Sequence, residues 1–354
     1  MMTPQGRSRE KQNRIPVSIV TGFLGSGKTT LINYLVNQDG MESTALIINE
    51  FGEIGLDHVL VESSFENTLL LENGCICCSI RGDLVDTICD LFAKVENGQL
   101  PPFTRIMVET TGIADPGPIA QDILSDEGVI HRCVLECIVV IVDGVLGLSQ
   151  INRAPEVAIQ IAQADIVLIS KIDIGSPERV DRLQVEILAI NPTAMIAVME
   201  NGEIDPDFLF QSFAATSGAT SRPASKNAHS HGDIHHHGPP LTTAGSHAHG
   251  DIATISVVRE APIEEARLRP WLTMIYSLNP HAMLRMKGFV RLANHDRPLL
   301  LHGVGSVISP PVWLESWPEG KPETRLVFIF KELDADVVKK SFQKHVLDQP
   351  SKTV

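Results

Sequence analysis

The sequence predicts an α/β protein whose first domain is a doubly wound, mostly parallel sheet and whose second, smaller domain is α+β. Three observations carry the prediction. Short apolar runs alternate with segments of helical period over roughly the first 200 residues, the pattern of repeated βα units. Several of those runs are continuous Val, Ile and Leu, as expected of strands covered on both faces. After a sharp break in composition, strands and helices return without a strict order. The chain has 354 residues, 43% hydrophobic and 20% charged, enough for two domains with separate cores.

Residues 1–14 form a polar, basic tail with no apolar stretch of the signal-peptide kind. The first domain, 15–215, is then expected to place strands at Val17–Thr21, Ala45–Asn49, Arg105–Glu109, Cys137–Asp143, Ile166–Ser170 and Ala194–Val198. Helices fit between them. Lys28–Asn37 is followed by Gly40 as a stop. Asp83–Val95 sets Leu84, Ile88, Leu91, Phe92 and Val95 along one face. Pro177–Ile190 opens on a proline suited to a first turn and closes before Pro192. Residues 216–250 are rich in Ser, Thr, Ala, Gly, Pro and His and read as a linker, because they offer too little apolar surface to offset chain entropy. The second domain, 251–347, is expected to hold strands at Thr254–Val258, Phe289–Leu292, Pro298–His302 and Arg325–Phe330, with helices at Pro262–Leu278 and Asp334–Val346.

Composition excludes some functions. Lys and Arg number 29 against 43 Asp and Glu, for a net charge of −14, which disfavours a binder of nucleic-acid phosphates. No apolar run reaches the roughly 20 residues that cross a bilayer. Six cysteines in so long a chain do not make a disulfide scaffold, and a reducing, cytoplasmic location is expected.

Two motifs carry chemistry. Strand residues Val17–Thr21 run into Gly22-Phe23-Leu24-Gly25-Ser26-Gly27-Lys28-Thr29-Thr30, the Gly-x-x-x-x-Gly-Lys-Thr phosphate loop. Its glycines let backbone N–H groups curl around phosphate oxygens, and the helix start adds positive potential. Lys28 supplies a compact charge for the β- and γ-phosphates, and Thr29 offers a hydroxyl to Mg²⁺. Glu109, closing an apolar strand before Thr110-Thr111-Gly112, stands where an acid would support Mg²⁺ or its waters. Gly112 stands where a backbone N–H would meet a γ-phosphate. Ser170-Lys171-Ile172-Asp173 resembles the Asn/Thr-Lys-x-Asp guanine motif of GTPases, with Ser in the first place. A carboxylate at Asp173 accepts from guanine donors that adenine lacks, so GTP is favoured over ATP; the alternative is an acid that caps the strand end.

The second motif is Cys75-Ile76-Cys77-Cys78. Three thiols within four residues suit Zn²⁺, Cu⁺ or Co²⁺, and the flanking Gly74 and Ser79–Gly82 favour a loop over three small core residues. One tetrahedral position stays open, for which Glu53 and His58 are candidates. Both lie in Asn49–His58, after the second strand, where P-loop GTPases place a segment that responds to the γ-phosphate; an ordinary acidic turn is the alternative. Cys89, Cys133 and Cys137 read as packing residues. Seven histidines between His229 and His249 could collect Zn²⁺, Ni²⁺ or Co²⁺ weakly, or serve as a solvated spacer.

These residues resemble the CobW family of P-loop GTPases, which includes zinc chaperones and factors linked to cobalt and cobalamin. The matching segments are Thr21–Thr30, Asn49–Glu53, Asn73–Cys78, Arg81–Leu84 and Glu109–Pro118, with Leu284–Phe289, Leu301–Val304 and Thr324–Ile329 in the second domain. The resemblance implies hydrolysis of GTP to GDP and phosphate, with Mg²⁺, and with Lys28, Thr29 and Glu109 in the catalytic machinery. It also implies a metal, Zn²⁺ or Co²⁺, held by Cys75, Cys77 and Cys78 and passed to a client metalloprotein. Glu53 matches the family's additional ligand. A second copy of the chain is left open as a partner; nucleic acid and membrane are not expected. Two other readings stand beside this one. One is a P-loop ATPase or kinase with a structural metal, the other a metal buffer with a regulatory nucleotide site.

Overall fold

The computed structural model describes residues 14–49, 68–70, 76–79, 83–205, 208–209, 252–318 and 321–347. The N-terminal tail, Glu53, His58, Cys75 and the histidine-rich linker lie outside these described residues. Contacts group the described residues into two compact units. One takes those of Met1–Gln150, Ala164–Leu183 and Met195–Pro223, the other those of Ile151–Gln163, Gln184–Ala194 and Ala224–Val354.

The first sheet has eight strands: β1 (Ile15–Gly22), β2 (Thr44–Asn49), β3 (Thr68–Leu70), β4 (Ile76–Ser79), β5 (Arg105–Thr110), β6 (Cys133–Asp143), β7 (Ile166–Ser170) and β8 (Met195–Val198). Their order is β3-β4-β2-β5-β1-β6-β7-β8, parallel throughout except for β3, which pairs antiparallel at the edge. Helices α1 (Lys28–Leu35), α2 (Leu84–Glu96), α3 (Pro116–Ser125), α4 (Gly147–Arg153), α5 (Pro155–Gln163) and α6 (Pro177–Ile190) provide the crossovers. The central strands are buried on both faces, which is why they read as unbroken Val/Ile/Leu. On one face Leu31, Ile32 and Leu35 of α1 pack with Val20, Leu46, Met107, Val139 and Leu168.

Register places a single row of residues across five strands: Cys78, Ile47, Val108, Ile19 and Ile138. The next row holds Ser79, Ile48, Glu109 and Val20. At the other end of the sheet, pairing of β1 with β6 slips between Val17 and Ser18 and leaves Glu136 in a bulge. Its buried carboxyl accepts from Ser18 Oγ at 2.9 Å and lies 3.5 Å from Arg105 Nε.

The second unit is built on β9 (Ile252–Arg259), β10 (Met283–Val290), β11 (Leu299–Val304), β12 (Val307–Ile308) and β14 (Thr324–Lys331), in the order β12-β11-β10-β14-β9, with β13 (Val312–Trp313) paired to β11. All its ladders are antiparallel. Helices α7 (Glu265–Leu278) and α8 (Ala335–Phe342), the latter continued by a π-helical turn (Gln343–Leu347), cover one face. Trp271 of α7 meets Phe328 and Phe342 edge-on, with ring centroids 5.5 and 4.8 Å apart. In the same unit the buried Arg285 of β10 donates to the Gln163 carbonyl at the C-terminus of α5. Thr254 Oγ1 likewise donates to the Ile190 carbonyl at the end of α6, at 2.9 Å.

Gly288 gives this unit a sharp test. Its φ is +148°, and a Cβ there would stand 1.9 Å from the Arg325 carbonyl oxygen of the paired strand. Replacing Gly288 with Ala is expected to destabilise the protein by about 2–4 kcal/mol, measured by chemical denaturation, because backbone must move to relieve the clash.

The expected strands of the first domain are all present, some longer than expected, as with β6 from Cys133. The structure departs from the sequence reading at several elements, and strands β3, β12 and β13 were not expected. Ile76–Ser79 is a strand, not a loop: β-branched and small residues pair with β2 on one side and β3 on the other. Helix α7 begins at Glu265 because Ile263 bridges Leu292 and bonds to Arg291, keeping Pro262–Glu264 extended. Strand β10 starts six residues before the expected Phe289, at Met283, with Arg and Lys tolerated inside it. Helices α3, α4 and α5 were not expected. Asp115 caps α3 through the Gly117 N–H, which turns a Pro-Gly-Pro opening into a helix start.

Candidate functional site

The phosphate loop joins β1 to α1 at the carboxyl edge of the sheet, where neighbouring strands β5 and β6 leave on opposite sides of β1. That is the topological switch point of a doubly wound sheet, the place where such folds bind ligands. Gly25 and Gly27 have φ of +71° and +104°, in the left-handed region that favours a residue without a Cβ. Gly112 is confined for a different reason. A Cβ there would come within 2.8 Å of the Leu24 backbone, so the turn after β5 packs directly on the phosphate loop.

Lys28 is buried to 7% exposure, and its Nζ donates to the carbonyls of Gly22 at 2.9 Å and Phe23 at 3.3 Å. The charge is thus folded into the loop where phosphate oxygens would compete for it. Thr29 Oγ1 donates to Glu109 Oε1 at 3.1 Å. Glu109 is 1% exposed at the end of β5. A hydroxyl and a carboxylate side by side at the mouth of the loop form the hard-oxygen donor set that suits Mg²⁺. Next to them the buried Thr110 hydroxyl donates to Thr21 Oγ1 at 2.7 Å, tying β5 to β1 one residue beyond Glu109.

The Ser170–Asp173 segment leaves β7 beside the same loop. Ser170 Oγ donates to the Ser26 carbonyl at 2.6 Å. Lys171 has φ of +56° and its Nζ reaches Asp143 Oδ2 at 2.7 Å. Asp173 is exposed on the turn that follows. Asp143 closes β6 and is 2% exposed; its Oδ1 accepts from the Val145 and Leu146 N–H groups at 2.8 and 2.9 Å. The adjacent Gly144 N–H donates to the Ser170 carbonyl at 2.8 Å, and a Cβ on Gly144 would sit 2.6 Å from that oxygen. Asp143 was not singled out by sequence reasoning, nor was the Thr21–Thr110 pair. The available signal for Asp143 was an acid ending the longest apolar run, as Glu109 ends another.

Burial alone would raise the Asp143 carboxyl above its usual range, but the bonds from Lys171, Leu146 and Val145 outweigh it and hold the group below its ordinary 3.8. Its contribution to stability is therefore present above that ordinary value and is lost as pH falls through the lowered one. Replacing Asp143 with Asn keeps an acceptor for the two N–H groups but removes the charge facing Lys171. The expected result is a rise of about fivefold in KM for nucleotide with kcat within about twofold. The stability difference between wild type and variant should be flat at neutral pH and shrink on acidification below about pH 3.8.

Of the expected metal ligands, Cys77 and Cys78 lie in β4, paired to Leu46 and Ile47 of β2, and Cys78 is buried. Cys75 and Glu53 lie outside the described residues. Among the described residues no group of three or more His, Cys, Asp or Glu is arranged to hold a metal ion. The other thiols behave as packing residues. Burial pushes the Cys133 thiol up to about 12 and the Cys137 thiol well above its usual range, and it raises Cys89 as well, so none offers a ready thiolate. No described helix is long and apolar enough to cross a membrane.

Comparison with known proteins finds matches over nearly the whole chain. The family model described as CobW/HypB/UreG, nucleotide-binding domain, matches residues 16–198, and the cobalamin synthesis protein cobW C-terminal domain matches 252–346. The zinc chaperone YjiA of Escherichia coli K12 is 30% identical over 93% of this chain and 98% of its own length. The zinc chaperone CobW of Pseudomonas aeruginosa is 28% identical over 93% of this chain and 91% of its own. The crystal structure of Zn(II)-bound YjiA GTPase from E. coli superposes with a TM-score of 0.73 at 30% identity, covering 94% of this chain and 99% of that one. A triple mutant of YjiA, with one Glu and two Cys changed to Ala, is also Zn(II)-bound in its crystal structure, at a TM-score of 0.72, 29% identity and coverage of 94% of this chain and 99% of that one.

Proposed function

The chain belongs to the CobW family of P-loop GTPases, and we propose that it hydrolyses GTP to GDP and phosphate and uses that cycle to carry zinc to a client metalloprotein. The observation that carries the proposal is the register of one sheet. Cys78 stands in the row beside that of Glu109, and β4 is separated from β5 by β2 alone. At a strand spacing of about 4.8 Å, the thiol-bearing strand runs about 10 Å from the strand that carries Glu109. Strand β2 between them leads directly into Glu50–His58. A change at the γ-phosphate that shifts this segment therefore acts on the neighbour of the zinc-binding strand.

Each residue has a part. The N–H groups of Gly22–Thr30 cradle the phosphates, and Lys28 leaves the Gly22 and Phe23 carbonyls to meet the β- and γ-phosphate charge. Thr29 and Glu109 would hold Mg²⁺, which when bound neutralises charge developing between the β- and γ-phosphates. Gly112 offers its N–H to the γ-phosphate, and Asp173 reads the guanine. Cys75, Cys77 and Cys78, with Glu53, take zinc as cargo; the same donors accept Co²⁺. A client metalloprotein is the partner that completes delivery, and a second copy of the chain is a further partner to be sought. The ATPase or kinase and metal-buffer readings are not favoured, because the relatives above are named as zinc chaperones and GTPases.

Side-by-side titration tests the proposal. GTP is expected to bind at least about tenfold tighter than ATP, and stoichiometric Zn²⁺ to change the GTP turnover rate. Equal binding of the two nucleotides, together with turnover indifferent to zinc, would contradict it.

A further inference from the structure

We infer that Thr110 is a positioning residue for the γ-phosphate: seated on Thr21, its hydroxyl holds the Thr111 carbonyl and so aims the Gly112 N–H. The inference deepens the proposed function and rests on the γ-phosphate contact assigned there to Gly112. Thr21 stands in β1 just before Gly22, and Thr110 closes β5 just after Glu109. Both are fully buried, and their hydroxyl oxygens lie 2.7 Å apart. Thr110 Oγ1 also lies 3.2 Å from the Thr111 carbonyl oxygen. A threonine hydroxyl has one hydrogen, so Thr110 serves one of these two acceptors at a time.

The two placements differ in what they leave unmade. With the Thr110 hydrogen on Thr21, the Thr21 hydroxyl has no other hydrogen-bond partner among the described residues. Turning both hydroxyls gives a chain from Thr21 to Thr110 to the Thr111 carbonyl, in which each hydrogen meets an acceptor. No heavy atom moves. The Thr111 carbonyl already accepts the Ala114 N–H at 3.2 Å, so the hydroxyl adds a second hold on the same peptide. That peptide is planar, and its other end is the Gly112 N–H, so fixing the carbonyl fixes the direction of the N–H. The peptide lies against the phosphate loop: a Cβ on Gly112 would stand 2.7 Å from the Leu24 nitrogen. A γ-phosphate oxygen on the Gly112 N–H polarises this peptide and makes its carbonyl a stronger acceptor. The Thr110 hydrogen is then drawn from Thr21 to Thr111. A diphosphate lacks the oxygen that does this, so the hold tightens for the triphosphate alone.

The test is competition binding to the full chain with GDP and with a non-hydrolysable GTP analogue, read as the ratio of the two affinities. Thr110→Val, nearly equal in shape but without the hydroxyl, should weaken the analogue about five- to tenfold and GDP by less than about twofold. Thr21→Val leaves Thr110 its hydrogen but no donor behind it. The analogue should then weaken about two- to threefold, again with GDP spared. Thr110→Ser restores the hydroxyl and should return the ratio to within about twofold of wild type. A pair that merely braces β5 against β1 would lower both affinities together. The inference is overturned if Thr110→Val weakens GDP and the analogue by the same factor, if it leaves the analogue's affinity unchanged, or if Thr110→Ser fails to restore the ratio. Should Thr110→Val not fold, the same ratio in Thr21→Val decides the matter. The proposed function is decided separately, on wild type. ATP binding as tightly as GTP would overturn its guanine reading, and the Thr110 inference would then be read from ADP and a non-hydrolysable ATP analogue.

Discussion

Replacing Lys28 with Ala is expected to lower GTP turnover by about a thousandfold, the largest effect of any single substitution in the nucleotide site. The ammonium is nearly buried and is held by two main-chain carbonyls of the loop it serves. Among the described residues, Lys171 on the adjoining turn is paired with Asp143 at 2.7 Å. Loss of the side chain leaves charge on the transferring phosphoryl group with one fewer counter-charge in a water-poor site, where electrostatic stabilisation is strongest. Helix α1 should survive, since Ala is a good helix former and the packing of Leu31, Ile32 and Leu35 is untouched. Thermal unfolding without nucleotide should therefore move little while turnover collapses. A proportionate loss of both would mean that Lys28 is structural.

Changing Cys77 and Cys78 together to Ala is expected to weaken the tightest zinc site by about a thousandfold or more and to abolish the response of GTP turnover to zinc. Alanine is preferred to serine because Cys78 is buried, and a serine hydroxyl there would need a new partner. The quantity to measure is affinity, not zinc content. Zn(II) is bound in a YjiA mutant in which one Glu and two Cys are replaced by Ala, so bound zinc by itself does not report on one site. Competition against a chromophoric chelator, with the histidine-rich segment present, separates a tight site from weak collectors. Basal GTP turnover without zinc should stay within about threefold of wild type, because β2 and β5 separate β4 from β1, the strand that leads into the phosphate loop.

The parts of this fold most legible in the sequence are those that obey a strong local rule. Strands β1, β5, β6 and β7 are continuous apolar runs because both faces are covered, and that burial writes itself into composition. The phosphate loop is legible because its bends admit only glycine and its charge only Lys. The helix at Pro116 was hidden by its own start signal, since Pro-Gly-Pro reads as a turn until Asp115 is seen to cap it. Strand β4 was hidden by chemistry: cysteines at metal-binding spacing between a glycine and Ser79–Gly82 suggest a loop, while their β-pairing is decided by β2 and β3. Asp143 was legible as the end of a strand but not as a site residue. Its partner Lys171 is 28 residues away, and only the sheet order brings β6 beside β7.

Isothermal titration of Zn²⁺ into the empty, GDP-loaded and non-hydrolysable-GTP-loaded protein tests the link between nucleotide and cargo most directly. The account predicts at least about a tenfold difference in zinc affinity between the triphosphate and diphosphate forms, matched by an equal change in nucleotide affinity when zinc is bound. Three superimposable zinc isotherms would contradict it.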